Sequence, residues 1–138
     1  MSNKPHDSNR PYKFVMLIDE DEIDNLINQK IIESNNFSDK IIIFRTGQEA
    51  LEYLDKNKGT DEQLPDLIFL DINMPIMDGF QFLEEFENLK GGVHQKCKII
   101  MLSSSISPRD IDRAASNRFV KKYLNKPLNS RYLQAITI

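Results

Sequence analysis

The sequence holds a single cysteine, Cys97, so no internal disulfide can form. The two histidines, His6 and His94, are isolated from it and from each other, which excludes a zinc-type Cys/His cluster. No apolar run approaches the length of a membrane span. The opening stretch, MSNKPHDSNRPYK, has no apolar centre, so no export signal is expected in it. Residues 1–12 are expected to form a flexible polar tail, and the cytoplasm is the expected compartment. Repeats and low-complexity segments are absent. A net charge of −3 argues against general nucleic-acid binding.

What is present points to one domain. The 138 residues are 40% hydrophobic, enough to bury a core. Four short apolar runs stand out: FVMLI (14–18), IIIF (41–44), LIFL (67–70) and IIML (99–102), with a weaker fifth, VKKYL (120–124). Continuous runs suit strands covered on both faces, as in a parallel sheet. Between them lie helical spacings. Ile23, Leu26, Ile27 and Ile31 follow the first run, Ala50, Leu51 and Leu54 the second, and Phe82, Leu83, Phe86 and Leu89 the third. Ile111, Ala114 and Ala115 follow the fourth, and Tyr132, Leu133 and Ile136 the fifth. Thr46 with Glu49, Asp78 before Gly79 and Ser107 before Pro108 mark helix starts, and Lys90-Gly91-Gly92 marks a stop. Asp21 and Glu22 suit a helix start, and Asp24 a surface. The alternation predicts an α/β fold, a doubly wound five-stranded parallel sheet with helices on both faces, spanning residues 13–138.

Charge is uneven along this frame. Residues 108–138 carry seven basic and two acidic side chains, hence +5, which leaves −8 for residues 1–107. Such asymmetry marks either an interaction face or a solvated surface. Lys121 and Lys122 are adjacent on a strand and point to opposite sides. Arg109 and Arg113, four apart on a helix, share a face.

In an open α/β sheet, ligands bind beyond the carboxyl ends of the strands. The first strand ends in Asp19-Glu20-Asp21-Glu22, the third at Asp71, the fourth at Ser103-Ser104-Ser105, and the fifth leads to Lys126. Several carboxylates held together repel one another, and a divalent cation removes the conflict. Oxygen ligands suit Mg²⁺, which takes few protein carboxylates alongside a phosphate. A carboxylate held in line with a phosphoryl group can act as nucleophile and form an acyl phosphate. Lys126 would pair with the phosphoryl oxygens as a point charge, and a serine hydroxyl could hydrogen-bond another.

These residues carry a resemblance. Over residues 13–138 the chain resembles a bacterial two-component response-regulator receiver domain of the stand-alone, chemotaxis-regulator type. LIDEDE resembles the acidic pair after the first strand, LDINMPIMDG the phosphoacceptor motif, and YLNKPL the lysine motif. The resemblance implies strand order 2-1-3-4-5 and Asp71 as phosphoacceptor. It also implies a metal site of Asp19, Glu20, Asp71 and the Asn73 carbonyl for Mg²⁺, or Mn²⁺. Lys126 and Ser103 would hold the phosphoryl group, Ser103 and Tyr123 would switch, and Pro127 would follow a cis peptide. Glu20 stands where aspartate is commoner, and Ser103 where threonine is frequent.

The implied partners are a histidine kinase or histidine phosphotransfer protein, and a downstream protein at the face of the fourth helix, fifth strand and fifth helix. No nucleic acid or membrane is implied, and a monomer or weak dimer is expected. The chain ends just past the fifth helix, so output through a partner or onward phosphorelay is expected. No enzymatic activity is expected beyond Mg²⁺-dependent self-phosphorylation and autodephosphorylation.

Three rivals fit less well. A haloacid-dehalogenase-type phosphohydrolase would want a second aspartate where Asn73 stands, and a cap domain. A receiver-like module that takes no phosphate would not need Asp71, Lys126 and the acids together. A flavodoxin-like nucleotide binder would need a glycine-rich phosphate loop, which FRTGQEA does not supply.

Overall fold

A computed structural model of the chain describes residues 10–136. The expected polar tail lies outside the described residues as far as residue 9, and His6 with it; Tyr12 already opens the first strand. The strands are β1 (Tyr12–Ile18), β2 (Ser38–Phe44), β3 (Leu67–Leu70), β4 (Lys98–Ser103) and β5 (Val120–Asn125). The helices are α1 (Glu22–Ser34), α2 (Gly47–Lys56), α3 (Gly79–Glu87), α4 (Pro108–Ala115) and α5 (Ser130–Ala135). A 3₁₀ turn (Asp61–Gln63) precedes β3, and a one-turn helix (Val93–Lys96) precedes β4.

All strand pairs are parallel, in the order β2-β1-β3-β4-β5. Each apolar run splits by pleat between the two faces. Met16, Ile18, Ile68 and Leu70 join Ala50, Leu54, Phe82, Phe86 and Ala114, the contributions of α2, α3 and α4. Val15, Leu17, Leu67 and Phe69 join Ile32 of α1 and Leu133 of α5 on the other face. Burial on both faces is why the runs do not alternate with polar residues.

The helix starts are capped as expected. Thr46 accepts from the Glu49 N–H, Ser107 from that of Asp110, and Asp78 forms a capping box with Gln81. The stop differs. Helix α3 ends before Asn88, and Gly91 and Gly92 adopt φ 73° and 85° to launch the one-turn helix instead.

Helix α1 departs most from its sequence pattern. Its buried residues are Asn25, Asn28 and Ile32, while Ile23, Leu26 and Ile27 are 68%, 53% and 42% exposed. The Asn25 amide accounts for part of this, donating to the Asp19 carbonyl at 2.8 Å. A polar contact at the strand end thus sets the helix rotation, and the apolar residues turn outward. Helix α4 likewise buries only Ala114, leaving Ile111 and Ala115 exposed.

Candidate functional site

The sheet continues past its strands as single hydrogen bonds. The Asp19 N–H donates to the Phe44 carbonyl, Asp71 N–H to Ile18, and Lys126 N–H to Ser103. These links hold Asp19, Asp71, Ser103 and Lys126 at one edge of the sheet. A close approach behind Asp71 completes the frame. A Cβ on Gly79 would lie 2.6 Å from the Asp71 carbonyl oxygen, so the first turn of α3 can pack there only with glycine.

Lys126 is the centre of the charge network. Its Nζ donates to Asp19 Oδ2 at 2.6 Å and to Asp24 Oδ2 at 2.8 Å, and stands 3.4 Å from Asp71 Oδ2. Burial alone would lower its pKa, but the hydrogen bonds to Asp19 and Asp24 and the charge of Asp71 outweigh it and raise the ammonium above its ordinary range. Asp24 is therefore not the plain surface residue expected. It lies on the first turn of α1 and reaches back to a lysine 102 positions away in sequence. The only local signal is its place two residues after the helix begins beside the Asp19 strand end.

Asp71 is 6% exposed, and its Oδ1 is buried with no hydrogen-bond partner. Burial, then the charge of Asp19, push its carboxyl from 3.8 up to about 6, against the opposing pull of Lys126. Asp19 is better held, with Oδ1 accepting from the Asp21 N–H at 2.9 Å. Glu20 is exposed, and its backbone carbonyl accepts two hydrogen bonds from Arg45, at 3.1 and 2.9 Å. Asn73 is exposed in the loop after Asp71. Ile76 follows in that loop with φ 70°, and the Met77 N–H donates to the Pro75 carbonyl at 2.7 Å, a tight turn unfavourable for a β-branched residue.

Among the described residues no three acidic, histidine or cysteine side chains converge to hold a metal ion. Three carboxylates share one ammonium instead, and two of them, Asp19 and Asp71, are buried. A buried oxygen without a partner and a carboxyl raised by burial and then by a like charge are the marks of a site that suits a divalent cation.

Ser103 is fully buried, its hydroxyl accepting from the Ser105 N–H at 3.2 Å. The Ser105 carbonyl accepts from the Tyr123 hydroxyl at 2.7 Å and the Asn125 amide at 3.0 Å, and its own hydroxyl donates to Asp110 at 2.6 Å. Tyr123 is thereby tied to the loop that follows Ser103. Tyr123→Phe is expected to cost about 1 kcal/mol of stability and to speed amide hydrogen exchange across 104–107. Unchanged exchange there would show that the bond does not order the loop. The Lys126–Pro127 peptide is cis.

Other candidates lie elsewhere. Cys97 is buried, and burial pushes its thiol up to about 12, which keeps it inert. The His94 ring packs against Phe86 and Phe119, with Nε2–H donating to the Phe86 carbonyl at 2.7 Å. On α4 the Arg113 guanidinium lies 4.2 Å above the Phe80 ring, so Arg109 and Arg113 are not equivalent charges on one face.

The family model for the response regulator receiver domain matches residues 15–137. The chain belongs to that family. A solved two-component response regulator from Cytophaga hutchinsonii is 31% identical, covering 91% of this chain and 93% of its own, with a TM-score of 0.83. Response regulator Rcp1 of Synechocystis is 26% identical over 92% of this chain and 85% of its own length. The Mn²⁺-bound structure of Rcp1 superposes with a TM-score of 0.70 at 23% identity, covering 91% of this chain and 98% of that one. Receiver domains are the signalling domains of two-component systems, accepting phosphoryl groups and interacting with histidine kinases and effectors. No helix among this receiver domain's described residues is long and apolar enough to cross a membrane.

Proposed function

We propose that this receiver domain accepts a phosphoryl group on Asp71 from a histidine kinase or histidine phosphotransfer protein. The observation that carries this reading is Asp71 itself: a buried carboxylate at the sheet edge, with one oxygen unpartnered and the other 3.4 Å from Lys126. In the transfer an Asp71 oxygen forms a bond to phosphorus while the bond from phosphorus to the donor imidazole nitrogen breaks. The electron pair leaves with the imidazole. Asp19 and Asp71, joined by Glu20 and the Asn73 carbonyl, would hold Mg²⁺ or Mn²⁺. The cation would neutralise charge between the carboxylates and the phosphoryl oxygens. Lys126 offers its ammonium to a phosphoryl oxygen, and Ser103 its hydroxyl to another. No other enzymatic activity is proposed.

The donor's approach is supported by what surrounds Asp71. Exposed Ile23, Leu26 and Ile27 on α1, Ile76 beyond Asp71 and Ile106 beyond β4 all belong to elements leaving this edge. Apolar side chains exposed together suit a protein partner. The downstream partner is assigned to the face of α4, β5 and α5. Its switch is the Ser103–Ser105–Tyr123 linkage, through which occupancy at Asp71 biases a two-state equilibrium.

The test is incubation with acetyl phosphate and Mg²⁺, followed by intact mass. One phosphoryl group should add to the wild type, none to Asp71→Ala, and labelling should collapse in excess chelator or in Asp19→Asn. Full labelling of Asp71→Ala would sink the assignment, and full-rate labelling with chelator would sink the role of the cation.

A further inference from the structure

We infer that Asp24 is a positioning residue that competes with the phosphoryl group for Lys126, and so sets how strongly the site holds its charge-bearing ligand. This rests on the proposed phosphoacceptor role of Asp71. The geometry is specific. Lys126 has three N–H donors. Two are committed at 2.6 and 2.8 Å to Asp19 and Asp24, and Asp71 receives a contact of 3.4 Å. The distance to Asp71 is too long for a charge-assisted hydrogen bond, which closes to about 2.8 Å when unopposed. The ammonium is therefore drawn toward Asp19 and Asp24 and away from the carboxylate that receives the phosphoryl group.

The two anchors differ in kind. The Asp19 side chain is 6% exposed, and its second oxygen is fixed by the Asp21 N–H. The Asp24 side chain is 34% exposed on the first helical turn. Loss of water around Asp24 is partial, so its pair with Lys126 is the weaker and more readily broken one. A phosphoryl group brings up to two negative charges beside Lys126. Turning fully to it means loosening the Asp24 contact, and the strength of that contact is subtracted from the affinity of the site for a phosphoryl group. Asp24 thus acts as a built-in brake.

The experiment uses the full chain and trifluoroberyllate, a tetrahedral phosphoryl mimic, titrated at saturating Mg²⁺ and followed by amide NMR. Asp24→Ala should lower the half-saturating concentration about fivefold, the scale of one partly exposed ion pair. Asp24→Glu, which can still reach Lys126, should stay near wild type. In a Lys126→Met background, Asp24→Ala should have no effect, because the two residues act through one contact. A crystal structure of unliganded Asp24→Ala should show Nζ within about 3 Å of Asp71. Binding no tighter in Asp24→Ala overturns the inference while leaving the phosphoacceptor reading intact, as does an equal gain in the Lys126→Met background. Nζ still 3.4 Å from Asp71 overturns it too. A wild-type chain that binds no trifluoroberyllate overturns both.

Discussion

Asp71→Asn should make the protein more stable at neutral pH, although it deletes the residue proposed as phosphoacceptor. The folded state holds the Asp71 carboxyl at about 6 against 3.8 in its ordinary state. The folded protein therefore binds more protons than the unfolded chain between these values, and stability falls as pH rises through the window. Below 3.8 this penalty is absent; above about 6 it is fully present. At pH 7.5 it is about 2 to 3 kcal/mol, from the size of the shift. Asparagine is nearly the same shape and carries no charge to be stripped of water or to repel Asp19. The expected gain in melting temperature is roughly 5 °C or more at pH 7.5, shrinking toward zero at pH 4. Mg²⁺ should stabilise the wild type and do little for the variant, because the cation relieves the same repulsion. Thermal unfolding at the two pH values, with and without Mg²⁺, measures all of this. Equal midpoints for the two proteins at pH 7.5 would mean that Asp71 is not strained.

That instability follows from how the site was assembled, and its outline was legible in the chain. Apolar runs too continuous for a half-exposed sheet pointed to a doubly wound fold. The rule that ligands bind past the carboxyl ends then selected Asp19, Asp71, Ser103 and Lys126. The structure brings these four to one edge, because the ladder bonds persist one residue beyond the strands.

What the pattern missed is the rotation of α1. Apolar spacing alone puts Ile23, Leu26 and Ile27 inward, yet Asn25 and Asn28 are the buried residues. Periodicity weighs hydrophobicity and cannot see the Asn25 bond to the Asp19 carbonyl. The Asp24–Lys126 pair was hidden for the same reason. It depends on which side of α1 faces the sheet edge, and on a lysine delivered by β5 from the far end of the chain. Beside Gly91 and Gly92 the sequence marked a stop correctly in kind, but the glycines open the next short turn rather than close α3.

Lys126→Met should produce the largest loss of stability at this site. Lys126 is the cation that three carboxylates share, with Asp19 and Asp71 both buried around it. Methionine keeps the length of the stem and removes the charge, so packing changes little and electrostatics change fully. Removing one partner of a buried ionic cluster leaves uncompensated charge, and the loss is about 3 kcal/mol or more at pH 7.5, far above the value of an exposed ion pair. The pH dependence separates this from a packing defect. Lys126 is raised above its ordinary value, so its stabilising effect is complete below about 10.5 and is lost only in strong alkali. The variant's deficit at pH 7.5 therefore reflects the carboxylates left behind. With the lysine's lowering influence gone, the variant's Asp71 carboxyl is raised further than in the wild type, so it gains a proton first as pH falls and the deficit shrinks. A cavity would cost the same at every pH. Two additions should restore the variant: Mg²⁺, which replaces the missing positive charge, and Asp71→Asn on the same chain, which removes one of the charges left unpaired. The double variant should recover more than the separate effects predict, because the residues lie in one network. A deficit under about 1 kcal/mol, or one that does not change between pH 7.5 and 5, would place Lys126 among exposed ion pairs and remove it from the centre of the site.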